Sequence, residues 1–463
     1  MTDLTDRPIA DLSKAFKDGG ATPTELVDAT LATIGRLEEK LAAFEIVTAD
    51  TAREAADAAT KAIAAGHRIG PFHGIPFALK DLVDVEGMRT TGGTAVRDDH
   101  IAGKSAVIAR RLIAAGGILV GKTKTVEVAY GAWGTNQVRG TPWNPWDAET
   151  QRMPGGSSSG SGVAVAARMA TCAVGTDTGG SVRIPSACCG LSGLKVTEGR
   201  LPLDGIVPLS HTLDTPGPMA RSVEDATIMF EVLDGRHTAD TDRDLSERTG
   251  LFGEIDRGVA GLVLGRITEA DREGVAPEIL DHYDDALARL EKLGAAIVVF
   301  DLPIPIEHMK RDVGTIISAE GYYHHAAMYE TPSNRVDTDV APRILAGAKI
   351  DSRRYIEALV RRRSHRADTL RAMDGIAAFL TPAMSILPQP CSEVDQSGTP
   401  AVFTRGINYL GFCAFAQPMA LSAGGLPTSL QVVARPNDEA MAIRVAAAFE
   451  RDAPPIGHPP MTA

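Results

Sequence analysis

Two glycine/serine words place hydroxyl groups on backbone that glycine frees. The first is Gly155-Gly156-Ser157-Ser158-Ser159-Gly160-Ser161, and the second is Thr178-Gly179-Gly180-Ser181. In each, a serine follows two glycines. A serine hydroxyl becomes a nucleophile when a nearby base takes its proton, and acyl transfer also needs donors for the developing oxyanion. Gly179 and Gly180 let backbone N–H groups converge on one point, which is what an oxyanion hole requires. A tight turn explains either word equally simply. A candidate base stands earlier, at Lys80, inside the apolar run GIPFALKDLVDVEG at 74–87. Burial in such a run disfavours the ammonium form and lowers a lysine's pKa, and a neutral lysine is a general base. A Lys80–Asp81 pair at a strand end accounts for the same residues. Spacing leaves both readings open.

Three matches to other chemical motifs fail on their context. Residues 116–123 satisfy G-x-x-x-x-G-K-T, but a phosphate loop follows a strand and opens a helix. Here a helix precedes, and Gly-Ile-Leu-Val between the fixed positions reads as a strand. Gly156 to Gly160 satisfies G-x-S-x-G without the preceding strand or the downstream acid and histidine that an α/β-hydrolase needs. Ser192-Gly193-Leu194-Lys195 satisfies S-x-x-K, which needs a helix, whereas Val196-Thr197 continues it as a strand or turn.

The elements around the two words have a simple pattern. Residues 162–170 have helical spacing, with Ser161 as the expected cap, and residues 172–176 read as a short strand. A helix followed by a returning strand brings both words to the same end. Residues 1–70 predict a helical hairpin, its first helix opened by a Thr22–Glu25 capping box with Pro23 at the first position. Its second helix spans 51–65. Further helices are expected at 105–115, 223–233, 277–293 and through most of 310–375. Strands are expected at 117–121, 261–266, 295–300, 378–381 and 430–434. Pro216-Gly217-Pro218 reads as a turn, and the polar stretch 234–258 as a surface excursion. Alternating helices and strands indicate an α/β fold.

Composition narrows the function classes. The chain has 463 residues, 44% hydrophobic and 23% charged, the mix of an ordinary globular protein. A net charge of -12 argues against nucleic acid as the main partner, because phosphate binding needs clustered Lys and Arg. Five cysteines, two of them adjacent at Cys188 and Cys189 and none in C-x-x-C, fit neither a disulfide framework nor a zinc site. No run of about 18 apolar residues is present, and the first residues lack a signal-peptide pattern. The expectation is a cytoplasmic protein with no membrane partner.

Taken together, the words resemble the amidase signature family. They are GIPFALKD at 74–81, PGGSSSGS at 154–161 and GTDTGGSVRIPSA at 175–187, supported by DTPGPMARSVEDA at 214–226, FLTPA at 379–383 and GLPTSLQVVARPNDEA at 425–440. The resemblance implies one amidase domain over 1–463, with a signature core at 70–230. It also implies a single large mixed sheet covered by helices on both faces. It implies a Ser-cisSer-Lys triad: Ser181 as nucleophile, Ser157 as proton relay after a cis Gly156–Ser157 peptide, and Lys80 as base. The backbone N–H groups of Thr178, Gly179, Gly180 and Ser181 would form the oxyanion hole. Asp177 and Arg183 would fix the loop as an ion pair or touch substrate, with Thr176 in support. Trp133, Tyr322 and Tyr323 are candidates for an acyl pocket or for core packing.

The implied activity is hydrolysis of a linear small-molecule amide, with no metal and no cofactor. Family habit suggests a homodimer. The alternatives are the amidase subunit of a tRNA-dependent amidotransferase, and an inactive binding or scaffold protein. One word departs from the family pattern: Gly411-Phe412-Cys413-Ala414 carries cysteine where Gly-x-Pro-Ala is usual. It lies outside the triad words and so bears on specificity.

Overall fold

The computed structural model describes residues 4–235 and 251–462. Among these described residues, eleven short runs, bounded mainly by glycine, proline and polar turns, pair into one sheet. They are β1 (Phe44–Val47), β2 (Pro76–Lys80), β3 (Ile118–Thr123), β4 (Cys172–Asp177), β5 (Ser192–Lys195), β6 (Thr215–Ala220), β7 (Val263–Arg266), β8 (Ala296–Val299), β9 (Ala378–Pro382), β10 (Cys413–Leu421) and β11 (Pro427–Ala434). Their order across the sheet is β1-β3-β2-β4-β6-β5-β10-β11-β9-β7-β8. The pairs β3–β2, β2–β4, β9–β7 and β7–β8 are parallel, and the rest are antiparallel, so the sheet is mixed.

Side chains alternate between the two faces of a strand, and the cores follow that alternation. Phe77 and Leu79 of β2, with Cys172 and Val174 of β4, join a core built on the helices Val107–Ala114, Val223–Asp234 and Glu439–Asp452. Ala78 and Ala173 face a second core, under Pro23–Leu41, Ala49–Ala64 and Ser159–Ala166. Helices therefore cover both faces. Every residue of β2 and β4 is buried, as expected of central strands packed on both sides. That burial leaves a lysine at the end of β2 without water.

Three local expectations change. The segment 216–218 is not a turn but the middle of β6, paired along its length with β4. Pro216 and Pro218 are two residues apart, so both missing donors face the same side of the strand, and the other side keeps its ladder. The N-terminal hairpin forms, with the Thr22–Glu25 capping box in place. Its connection, however, is β1, which pairs with β3 and anchors the hairpin to the sheet edge. The helix after the first serine word starts at Ser159 rather than 162, with Ser158 at the cap position. Ser161 is inside it, its hydroxyl 2.8 Å from Thr123 Oγ1 and donating to Val174 O at 3.1 Å.

Of the expected excursion at 234–258, residues 236–250 lie outside the described residues. The stretch Leu251–Asp256 is a helix with Leu251, Phe252 and Ile255 buried. Among the described residues, no helix is long and apolar enough to cross a membrane.

Candidate active site

β2 and β4 run parallel side by side, with Leu79 opposite Val174. Their C-terminal ends deliver Lys80, Thr176 and Asp177 to one rim of the sheet. Lys80 is fully buried, and its Nζ lies 2.7 Å from Ser157 Oγ and 2.7 Å from Thr176 Oγ1. Burial lowers its pKa to about 7, even though Asp214 and Asp177 pull it upward. A neutral Lys80 keeps N–H donors for Thr176 and turns its lone pair to the Ser157 hydroxyl. The alternative Lys80–Asp81 pair does not form. Asp81 instead faces Lys122 at 2.5 Å and accepts from the Thr91 N–H at 2.9 Å. Adjacent residues at a strand end point to opposite sides, so Lys80 and Asp81 diverge.

The first serine word is held by close backbone approach. The Gly156–Ser157 peptide is cis. A Cβ on Gly156 would stand 2.6 Å from Gly134 N and 2.7 Å from Gly131 O, so only glycine fits. The Ser157 carbonyl accepts from Val126 N–H at 3.1 Å and Thr125 Oγ1 at 2.9 Å. Ser158 then joins the two words: its hydroxyl donates to the Ser181 carbonyl at 2.5 Å and its N–H reaches the same oxygen at 3.4 Å. Sequence reasoning passed over Ser158, because one more serine in a serine run carries no distinguishing signal.

Asp177 shapes the nucleophile loop. Its carboxylate accepts from the N–H groups of Gly180 at 2.7 Å and Val182 at 3.1 Å. It also accepts from Arg183 Nε at 3.0 Å, Arg183 Nη2 at 2.9 Å and Asn408 Nδ2 at 2.8 Å. Burial alone would raise its pKa. The charge and hydrogen bonds of Arg183, then Lys195 and Asn408, hold it well below the usual carboxylate range. Arg183 is fully buried and continues to Gln431 Oε1 at 2.5 Å and Asn408 Oδ1 at 2.6 Å. Of the two readings, ion pair or substrate contact, the structure places Asp177 and Arg183 in a buried pair behind the loop.

This arrangement sets Gly180 apart from the other three residues expected to form an oxyanion hole. The Gly180 N–H is committed to Asp177, and Gly180 does not line the cavity. The N–H groups of Thr178, Gly179 and Ser181 have no acceptor among the described residues, and all three residues line it. The Thr178 hydroxyl donates to Asp214 at 2.5 Å, and burial raises the Asp214 pKa to about 6.

Over Ser181 lies a cavity of about 420 Å³. Trp133 lines it; Tyr322 and Tyr323 do not. Lys310 and Ile317, seven residues apart on the helix Ile306–Glu330, face the cavity. Tyr322 and Tyr323, five and six residues past Ile317, turn away at about 100° per residue. Tyr322 bonds Glu330, and Tyr323 is 77% exposed. Tyr130, Arg343, Gln396 and Arg405 also line it, and none of them carries a signal in the sequence. Cys413 is fully buried on β10, away from the cavity, and burial raises its thiol pKa. Among the described residues, no group of three or more His, Cys, Asp or Glu is placed to hold a metal ion.

A family model described as Amidase matches residues 25–443. The chain is 33% identical to a glutamyl-tRNA(Gln) amidotransferase subunit of Geobacter metallireducens, over 97% of this chain and 98% of that one. It is also 33% identical to a 2-amino-5-chloromuconic acid deaminase of Comamonas testosteroni, over 93% and 92%. A solved structure described as an amidase superposes with a TM-score of 0.86 at 29% identity, over 97% of this chain and all of the other.

Proposed function

The chain belongs to the amidase family, and from that premise we propose that it hydrolyses a linear small-molecule carboxylic amide to the acid and ammonia or an amine. The observation that carries this reading is the contact between Lys80 and Ser157, 2.7 Å, in a fully buried setting that lowers the lysine pKa to about 7. The lysine is then poised as a base at neutral pH, one serine behind the cavity-lining Ser181.

In the proposed mechanism, neutral Lys80 takes the Ser157 proton as Ser157 takes that of Ser181. Ser181 Oγ attacks the amide carbon. The N–H groups of Thr178, Gly179 and Ser181 receive the oxyanion, with a key donor of this kind worth about 3–4 kcal/mol in the transition state. The proton returns through Ser157 to the leaving nitrogen, and the C–N bond breaks. Water then attacks the acyl-enzyme by the same route and releases the acid. The test is ammonia or amine release from a panel of primary and secondary amides by the protein purified alone. Ser181→Ala is expected to abolish it, and hydrolysis at the wild-type rate by that variant would overturn the reading.

A second reading, the amidase subunit of a tRNA-dependent amidotransferase, is favoured by the 33% identity to an amidotransferase chain over 97% of this one. The deaminase matches equally well at 33%, so identity does not separate the two. Hydrolysis of simple amides without partner chains supports the first reading. Glutamine hydrolysis that appears only with partners supports the second.

A further inference from the structure

The wall of the cavity over Ser181 is cationic. Lys310, Arg343 and Arg405 line it, and among the described residues no carboxylate does. Two of these cations have partners. Lys310 pairs with Glu307 at 3.3 Å. Arg343 donates to Tyr130 O at 2.8 Å, Gln396 O at 3.0 Å and Gln396 Oε1 at 2.8 Å. The Arg405 side chain has no hydrogen bond and no ion pair among the described residues.

Arg405 is held at the reacting centre. It opens the helix Arg405–Leu410, and the residue before it, Thr404, donates its hydroxyl to Gly179 O at 2.9 Å. A Cβ on Gly179 would stand 3.2 Å from Arg405 Cγ and 3.8 Å from Arg405 Nε. The stem therefore lies along a residue whose own N–H is one of the three open donors. Burial lowers the Arg405 pKa, Tyr130 raises it and Arg343 lowers it again; no carboxylate contributes. A guanidinium keeps its proton at neutral pH. A charged fork in a protein wall without a counter-ion is unfavourable until an anion arrives. Its planar donors match a carboxylate in a bidentate pair.

We propose that Arg405 is a specificity residue that binds a carboxylate of the substrate, so that the amide hydrolysed is an anionic one. The proposal rests on the amidohydrolase reading. The carboxylate can come from either end of the molecule, from the acyl part as in the monoamide of a dicarboxylic acid, or from the leaving amine as in an N-acyl amino acid. A cavity of about 420 Å³ holds either.

The experiment uses the whole purified protein. Rates are compared for malonamate through adipamate, for neutral amides of matched length, and for N-acetyl amino acids. The expected result is a kcat/KM at least about 100-fold higher for one anionic series than for the neutral one, within the range that a built polar contact discriminates. Arg405→Gln should collapse that ratio, chiefly through KM, and Arg405→Lys should restore part of it. The anionic series that wins identifies the end carrying the carboxylate. Equal rates on neutral and anionic amides, or an unchanged ratio in Arg405→Gln, overturn the proposal. Calorimetric binding of succinate and glutarate is measured in parallel and needs no turnover. If no amide of either charge is hydrolysed, the amidohydrolase reading falls. Dicarboxylate binding by wild type that is lost in Arg405→Gln then still supports the site, and its absence overturns it.

Discussion

Lys80 Nζ and Ser157 Oγ stand 2.7 Å apart, although 77 positions separate them in the chain. The contact exists because β2 ends beside the first serine word, with both side chains fully buried. With the Lys80 pKa lowered to about 7, the proposed role of Lys80 as base predicts a pH dependence of defined direction. The rate should fall about tenfold per unit as pH drops below about 7 and the lysine protonates. A rate flat through that limb counts against lysine as the base.

The same shift has a stability consequence. The unfolded chain holds the Lys80 proton up to about 10.5, whereas the folded chain releases it near 7. Between those values the unfolded state binds more protons, so this group's contribution to stability rises with pH. Below about 7 the full cost of burying the charge applies. Lys80→Met should remove the acid limb and nearly all activity. Thermal melts should show the stability difference, variant minus wild type, shrinking as pH rises from about 7 toward 10.5. A difference that stays constant across that window would show that Lys80 is not the titrating group.

The two serines should separate under a fluorophosphonate probe. Ser181 lines the cavity, whereas Ser157 is fully buried and does not line it. Mass spectrometry is expected to find the adduct on Ser181 only. Ser181→Ala should not label, and Ser157→Ala should label at a rate reduced by at least about 100-fold, as befits loss of a proton relay. An adduct on Ser157 would reverse the assignment of roles.

Breaking the pair behind the loop should cost stability as well as rate. Asp177 and Arg183 are both fully buried and joined at 2.9 Å. Arg183→Met leaves the Asp177 charge uncompensated, for a loss of about 3–5 kcal/mol in chemical denaturation. The double variant Asp177→Asn, Arg183→Met should recover part of that stability but not the activity, because Gly180 and Val182 lose their charged acceptor. Full recovery of activity would mean that the pair does not position the loop.

What was legible in the sequence follows from what each residue must do locally. Ser157 and Ser181 stood out because unusual backbone demands glycine before them, and Lys80 because a charge interrupts a buried strand. The helical hairpin was legible from its capping box. The β6 strand was not, since two prolines in six residues carry a turn signal that only sheet context overrides. Asn408 and Gln431, which complete the Arg183 network, lie 225 and 248 positions downstream and have no local signature. Arg405 and Arg343 were hidden for the same reason. Of the two readings of Tyr322, acyl pocket or core packing, the structure has it packed against a core, whereas Tyr323 is exposed, because helix phase rather than residue type decides which face meets the cavity. The commitment of the Gly180 N–H to Asp177, by contrast, is local, three positions along the chain, and is the kind of bond an aspartate before a tight turn makes.

The two glycines before Ser181 should respond differently to a methyl group. Gly180 has a φ of +126°, and a Cβ there would stand 2.3 Å from Thr404 Oγ1 and 2.7 Å from Ile184 Cδ1. Gly180→Ala therefore combines backbone strain of about 1–3 kcal/mol with a steric clash, and should lower both the melting temperature and kcat. At Gly179 no backbone atom obstructs a Cβ, and the nearest neighbour is the Arg405 stem at 3.2 Å. Gly179→Ala should fold at near wild-type stability yet displace Arg405, raising KM for a carboxylate-bearing amide more than it lowers kcat. Melting curves and steady-state kinetics on both variants check the contrast. Equal destabilisation at the two positions would contradict the geometry of the loop.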